Sequence, residues 1–166
     1  MAREPADSFC CPDHSGAGRA AHILADAEAR AAAAGLRLTP VRRRVLELLL
    51  EAHGALGAYD VLARLSAEGH GSQPPVAYRA LNALVDYGLA HRVRRLNAFT
   101  ACTRPDCGHG AAFLICTGCD SVTEAPAGKV TEALSETAAS AGFALERATI
   151  EVEGRCSACR GAPPCT

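Results

Sequence analysis

The chain has 166 residues, 49% of them hydrophobic but only 4% aromatic and none Trp, so it can form one domain or two small ones with interiors of Leu, Val and Ala. The net charge of −1 conceals an asymmetry: residues 36–104 carry ten Arg, no Lys and five acidic residues, a net of +5, whereas residues 1–35 sum to −2 and residues 105–166 to −4. A basic middle with acidic flanks suggests a polyanion partner for one segment only; no apolar run is long enough to span a membrane and no N-terminal apolar run follows a basic stretch, which speaks against membrane and secreted classes and for a cytoplasmic protein.

Residues 1–18, MAREPADSFCCPDHSGAG, mix Pro, Gly and Ser without period and read as a flexible tail; Cys10, Cys11 and His14 belong to it. Arg19 to Ala34 is Ala-rich and helical, and Gly35 stops it. Leu38-Thr39-Pro40 opens the next helix, with Val41, Val45, Leu48 and Leu49 on one face and Arg42, Arg43 and Arg44 on the other. A second short helix carries Ala58, Leu62 and Leu65 and ends near Gly69. Gln73-Pro74-Pro75 opens a third, which turns Ala77, Ala80, Leu81, Leu84 and Val85 inward and Tyr78, Arg79, Asn82 and Asp86 outward, before Gly88 ends it.

Short helices joined by tight Gly turns, the last with an exposed Tyr-Arg face, form the pattern of a helix-turn-helix. Leu89, His91 and Val93 alternate with Arg92 and Arg94 as in a strand, Arg95-Leu96-Asn97 turns, and Phe99 to Cys102 returns. Helices followed by a basic hairpin describe a winged helix over residues 19–102. The Arg residues of helix and wing are expected to hold phosphates, and the outward face of the third helix to meet base edges. The alternative is a small helical domain with an ordinary solvated surface.

Residues 103–110 form a polar hinge where the charge changes sign, and residues 111–166 form a second unit. There Ala111 to Ile115 is a buried strand, Ser121 to Glu124 its hairpin partner, Gly128 to Ala141 a helix with Val130, Leu134, Ala138 and Ala141 inward, and Phe143 to Gly154 a long strand. The fold class is therefore α+β.

Of the nine Cys, Cys116-Thr-Gly-Cys119 and Cys156-Ser-Ala-Cys159 each follow a strand, in turns of small residues that let the sulfurs converge. Four thiolates with no open position indicate a structural zinc site; a redox motif needs only one such pair, and idle thiols would not be matched. His91, Cys102, Cys107, His109 and Glu124 cluster around the hinge and the following hairpin. They are either surface polar groups or the ligands of a second site of imidazole, thiolate and carboxylate, which suits zinc. No nucleophile motif or phosphate loop supports an enzyme.

With these motifs in hand, the chain from about Leu36 to Cys159 resembles the ferric uptake regulator family, and within it the zinc uptake branch. The resemblance rests on Leu38-Thr39-Pro40-Val41-Arg42, Ala58-Tyr59-Asp60-Val61-Leu62, Pro74-Pro75-Val76-Ala77-Tyr78-Arg79-Ala80-Leu81, Gly88-Leu89-Ala90-His91, Phe113-Leu114-Ile115-Cys116, Gly142-Phe143 and the two Cys-x-x-Cys pairs. It implies a homodimeric, zinc-activated transcriptional repressor of zinc uptake or homeostasis genes. Such a protein has a winged helix, a C-terminal α/β dimerisation domain and two zinc ions per subunit, and binds a palindromic duplex operator. It needs no small-molecule substrate.

By motif match the resemblance places His91, Cys102, His109 and Glu124 on the regulatory zinc, and Tyr59, Tyr78 and Arg79 on DNA, with Arg79 on guanine. Val76-Ala77 stands where the family usually has Thr-Val, and the His-rich stretch of iron-responsive relatives is reduced to His109, which weakens an iron- or peroxide-responsive alternative. Either Cys102 or Cys107 can supply the regulatory thiolate.

Overall fold

Thr39 and Pro40 start the helix on which the N-terminal half is built. Thr39 takes extended backbone angles and its hydroxyl accepts from the amide of Arg42 at 3.4 Å, while Pro40, with no N–H to satisfy, fills the first helical position. The computed structural model describes residues 17–52, 54–103, 111–146 and 148–160. The expected tail up to residue 16, the hinge from residue 104 with Cys107 and His109, and Cys165 lie outside those residues.

In chain order the elements are α1 (Ala17–Ala33), α2 (Pro40–Glu51), β1 (Leu56–Gly57), α3 (Ala58–Ala67), α4 (Pro74–Asp86), β2 (Ala90–Val93), β3 (Ala98–Ala101), β4 (Ala111–Cys116), β5 (Val122–Pro126), α5 (Gly128–Ser140) and β6 (Ile150–Gly154). Val45, Leu46, Leu48 and Leu49 of α2, Val61 and Leu65 of α3 and Leu81 and Leu84 of α4 pack into one core, closed by Ala27 and Ala31 of α1 and Phe99 of β3. Each fully buried Leu there contributes about 1.5–3 kcal/mol of transfer free energy. This core leaves α4 with its expected sides, since Tyr78, Arg79, Asn82 and Asp86 remain exposed. β2 and β3 form the expected hairpin, with Asn97 supplying the positive φ of 47° at its turn, and β1 pairs with β3 as an edge strand that the sequence does not announce.

The C-terminal half is a second sheet in the order β5-β4-β6, antiparallel between β4 and β5 and parallel between β4 and β6. The parallel pair needs a crossover, which α5 provides. The two halves touch along the wing. Val93 is buried with Phe113 and Ile115 of β4, and Ala55, Leu96, Ala111 and Val122 pack around them. At the tip of the wing, the Glu151 carboxylate accepts from the backbone N–H of Arg94 at 2.7 Å and of Arg95 at 2.9 Å, and the Arg95 guanidinium donates to Glu153 at 2.8 Å.

Three expectations are corrected. The strand expected over Phe143 to Gly154 is confined to Ile150–Gly154. Gly142 ends α5 at φ 72°, and the Phe143 amide bonds back to the Ala138 carbonyl, so this segment closes a helix instead of extending. The side of α5 expected to face inward is not buried: Val130 and Leu134 are 47% and 41% exposed, along with Phe143, Leu114 of β4 and Val152 of β6.

The arginines expected to hold phosphates are largely engaged within the chain. Arg43 pairs with Glu28 and Glu47, and Arg44 with Glu47, Glu51 and Glu68, which hold its pKa above the usual guanidinium value, Glu68 most of all. In the wing, the Arg92 guanidinium donates to Asn97 and that of Arg95 to Glu153, whereas Arg94 meets Glu151 through its backbone amide. The excess positive charge of the middle segment is thus partly neutralised by folding.

Candidate metal centres and DNA-facing surface

β4 delivers Cys116 and Cys119 to a tight turn, and β6 runs parallel beside it to deliver Cys156 and Cys159 to another. The four sulfurs lie within 4.8 Å of one another, with Cys119 Sγ and Cys156 Sγ 3.9 Å apart. Sulfurs on a tetrahedral zinc with bonds of about 2.3 Å are separated by about 3.8 Å. Cys116 Sγ also accepts from the amides of Cys156 at 3.3 Å and Gly118 at 3.4 Å, which bring its pKa down to about 6. Crowding acts in the opposite direction on Cys159, where hydrogen bonds with Cys156, then Cys119 and Cys116, push the pKa up to about 12. A divalent cation relieves that crowding by letting all four sulfurs ionise. Gly118 lies against this knuckle; a Cβ there would come 3.1 Å from Cys159 Cβ and 3.2 Å from its sulfur.

The second group of donors joins the halves. His91 projects from β2, Cys102 follows β3, and Glu124 sits on β5 opposite Phe113. Their ligand atoms fall within 4.8 Å of one another, and His91 Nε2 is 3.7 Å from Glu124 Oε1. Nitrogen and oxygen ligands of a tetrahedral zinc lie about 3.4 Å apart. Cys102 is 5% exposed and is pinned by its amide, which donates to the Leu89 carbonyl at 3.0 Å. The His91 ring lies 5.2 Å from that of Phe113, and burial lowers its pKa against the opposing pull of Glu124. The imidazole is thereby kept neutral, the form that binds metal.

His91 Nε2 is buried with no hydrogen-bond partner among the described residues. An unpaired buried polar nitrogen costs about 1–3 kcal/mol, and an ion bound here would relieve that cost. The donor set of imidazole, thiolate and carboxylate fits zinc.

The structure places His91, Cys102 and Glu124 together, whereas His109 lies outside the described residues. Two residues near this group carry no sequence signal. Thr103 donates to Glu124 through both its amide and its hydroxyl, each at 3.0 Å. Arg30 of α1 donates to the Gly88 carbonyl at 2.9 Å, where α4 ends at a residue of φ 66°, and its charge also lowers the His91 pKa. Only the adjacency of Thr103 to Cys102 could have drawn attention to it.

Tyr59 at the start of α3 is 70% exposed and Tyr78 on α4 is 37% exposed. Arg79 beside it is exposed and makes no ion pair or hydrogen bond among the described residues, in contrast to Arg43 and Arg44.

The model of the ferric uptake regulator family matches residues 33–153. The zinc uptake regulation protein of Escherichia coli (strain K12) is 39% identical over 138 residues, covering 82% of this chain and 81% of that protein. Among solved structures, a zinc uptake regulator complexed with zinc and DNA superposes with a TM-score of 0.79 at 38% identity, covering 84% of this chain and 94% of that one. The holo form of XcZur superposes at 0.77 with 35% identity over 86% of this chain and 99% of its own. The apo form reaches only 0.50 at 36% identity, over 86% and 98%. The family match spans most of the sequence and the described fold agrees with it: this chain belongs to the ferric uptake regulator family.

Proposed function

We propose that this protein is a zinc-responsive transcriptional repressor that binds DNA and controls genes of zinc uptake or homeostasis. The observation that carries this reading is the second donor group. His91 and Cys102 belong to the winged helix and Glu124 to the C-terminal sheet, so their donor atoms converge only when the halves adopt this orientation. Bound zinc supplies coordinate bonds to all of these donors at once. His91, Cys102 and Glu124, with His109 as the fourth ligand, thereby favour one arrangement of the two halves by their differential affinity for the ion. This chain superposes better on holo than on apo XcZur, at nearly equal identity.

The four cysteines serve as a structural zinc site, giving two ions per subunit. The uncovered side of α5 with Leu114, Val152 and Phe143 is an apolar surface of the kind that a second copy buries. A homodimer presents two α4 helices, with Tyr59, Tyr78 and Arg79 toward a palindromic operator, and acts in the cytoplasm. Residues 19–102 and 111–166 are the corresponding DNA-binding and dimerisation units, with residues 103–110 as the hinge. An iron-responsive role is disfavoured by Cys102, because ferrous sites take His and carboxylate in preference to thiolate.

The test is the anisotropy of a labelled palindromic duplex at buffered free metal. Zinc is expected to drive binding, and Arg79→Ala to weaken it by about 1–3 kcal/mol, the worth of a bidentate guanine contact, without changing zinc content. Binding driven by ferrous iron and indifferent to zinc would overturn the reading.

A further inference from the structure

We propose that Thr103 is a specificity-determining residue of the second metal centre, holding Glu124 in a pose that offers the ion one carboxylate oxygen. The proposal rests on the reading of His91, Cys102 and Glu124 as metal ligands. The Thr103 amide and hydroxyl both donate to the same atom, Glu124 Oε2, each at 3.0 Å. Two donors on one oxygen fix the rotation of the carboxylate and occupy its accepting directions. The other oxygen, Oε1, is the one turned toward the His91 ring, 3.7 Å from Nε2. The Glu124 side chain is only 5% exposed, so water has little access to compete with Thr103 for Oε2.

This arrangement bears on which metal is accepted. Zinc is satisfied by four ligands in a tetrahedron, whereas manganese and ferrous ions favour six ligands with more oxygen, which a carboxylate can help supply by binding through both oxygens. Thr103 engages the oxygen that the two-oxygen mode requires. It also follows Cys102 directly, so the backbone that positions the thiolate positions the carboxylate as well. A single threonine thus ties a ligand from the wing to a ligand from the second sheet.

The experiment compares the full-length protein with its Thr103→Val and Thr103→Ser variants. Second-site zinc affinity is measured by chelator competition, manganese by displacement of zinc, and coordination number by the visible absorption of cobalt(II) at that site. Val keeps the shape and the amide donor but removes the hydroxyl. Thr103→Val is expected to weaken zinc about tenfold, the lower end for loss of a hydrogen-bonded support to a ligand, to narrow the preference for zinc over manganese, and to move the cobalt spectrum from four-coordinate toward higher-coordinate character. Thr103→Ser is expected to restore all three.

Thr103→Ala, measured alongside, provides the same deletion without a branched side chain should the Val variant fail to fold. Unchanged zinc affinity and cobalt spectrum in both deletion variants would overturn the proposal. If Glu124→Ala and His91→Ala in parallel lose second-site zinc while the Thr103 deletions do not, the fault lies with Thr103 alone. If all four bind metal as the parent protein does, the assignment of the site itself falls, and the proposal with it.

Discussion

Replacing Cys116 with serine is expected to abolish zinc retention at the four-cysteine cluster and to unfold the C-terminal half while the N-terminal helices persist. The reason lies in how unevenly the chain buries its apolar side chains. Among the described residues the N-terminal core draws on four helices and the wing, but the C-terminal half buries only Ala112, Phe113, Ile115, Cys116 and Ala127. A unit of about fifty residues with so small an interior of its own depends on further stabilisation, from the metal cross-link as well as from a second copy. Zinc in a site of this type contributes on the order of 10–16 kcal/mol to the folded state, more than the whole stability of an ordinary domain. Cys116 is also the sulfur that receives the backbone amides of Gly118 and Cys156, so its loss uncouples both knuckles. Circular dichroism and proteolysis should register loss of the second sheet with retention of most helix. A Cys116→Ser protein with native strand content and two zinc ions per subunit would refute this.

Removing a ligand of the other centre should have the opposite signature. His91→Ala and Cys102→Ser are each expected to leave the protein folded with one zinc per subunit and to remove the zinc dependence of DNA binding. Because a coupling between two sites usually amounts to about 5–150-fold in affinity, the operator affinity of each variant at saturating zinc should fall by a factor in that range, to the metal-free level. The His91 change also deletes the buried, unpartnered Nε2 and its ring contact with Phe113, so thermal stability without metal should be nearly unaffected or slightly higher. Wild-type operator affinity and zinc response in both variants, measured by the same anisotropy assay, would remove these residues from the mechanism.

Much of this was written locally in the sequence. Thr39-Pro40 announces the start of α2, and the spacing of Ala77, Ala80, Leu81 and Leu84 fixes which side of α4 faces out, because both depend on neighbours within a few residues. The two Cys-x-x-Cys pairs are similarly self-announcing, since each turn carries its own pair of thiols at fixed spacing. What could not be read there depends on distant partners. Arg44 meets Glu68 across 24 residues, and Arg95 meets Glu153 across 58, so arginines that look available for phosphate are committed to the fold.

The apolar side of α5 failed as a guide to burial for another reason: the described residues leave Val130 and Leu134 about half exposed. A period in the sequence shows which residues seek an apolar environment, not whether that environment comes from the same chain. His91, Cys102 and Glu124 belong to three separate strands or their ends, and the sequence grouped them only as one of two readings, which the family resemblance then favoured. Thr103, whose hydrogen bonds are with one of those residues 21 positions away, had no signature beyond its place after Cys102.

The central claim is that one centre holds the fold and the other controls DNA binding. It is tested most directly by counting zinc per subunit before and after a mild chelator while operator binding is followed in the same samples. Two zinc ions at the outset, of which one is removed together with DNA binding and restored together with it, is the predicted result. DNA binding that survives removal of the labile zinc, or a protein that loses both ions and its fold in a single step, would contradict it.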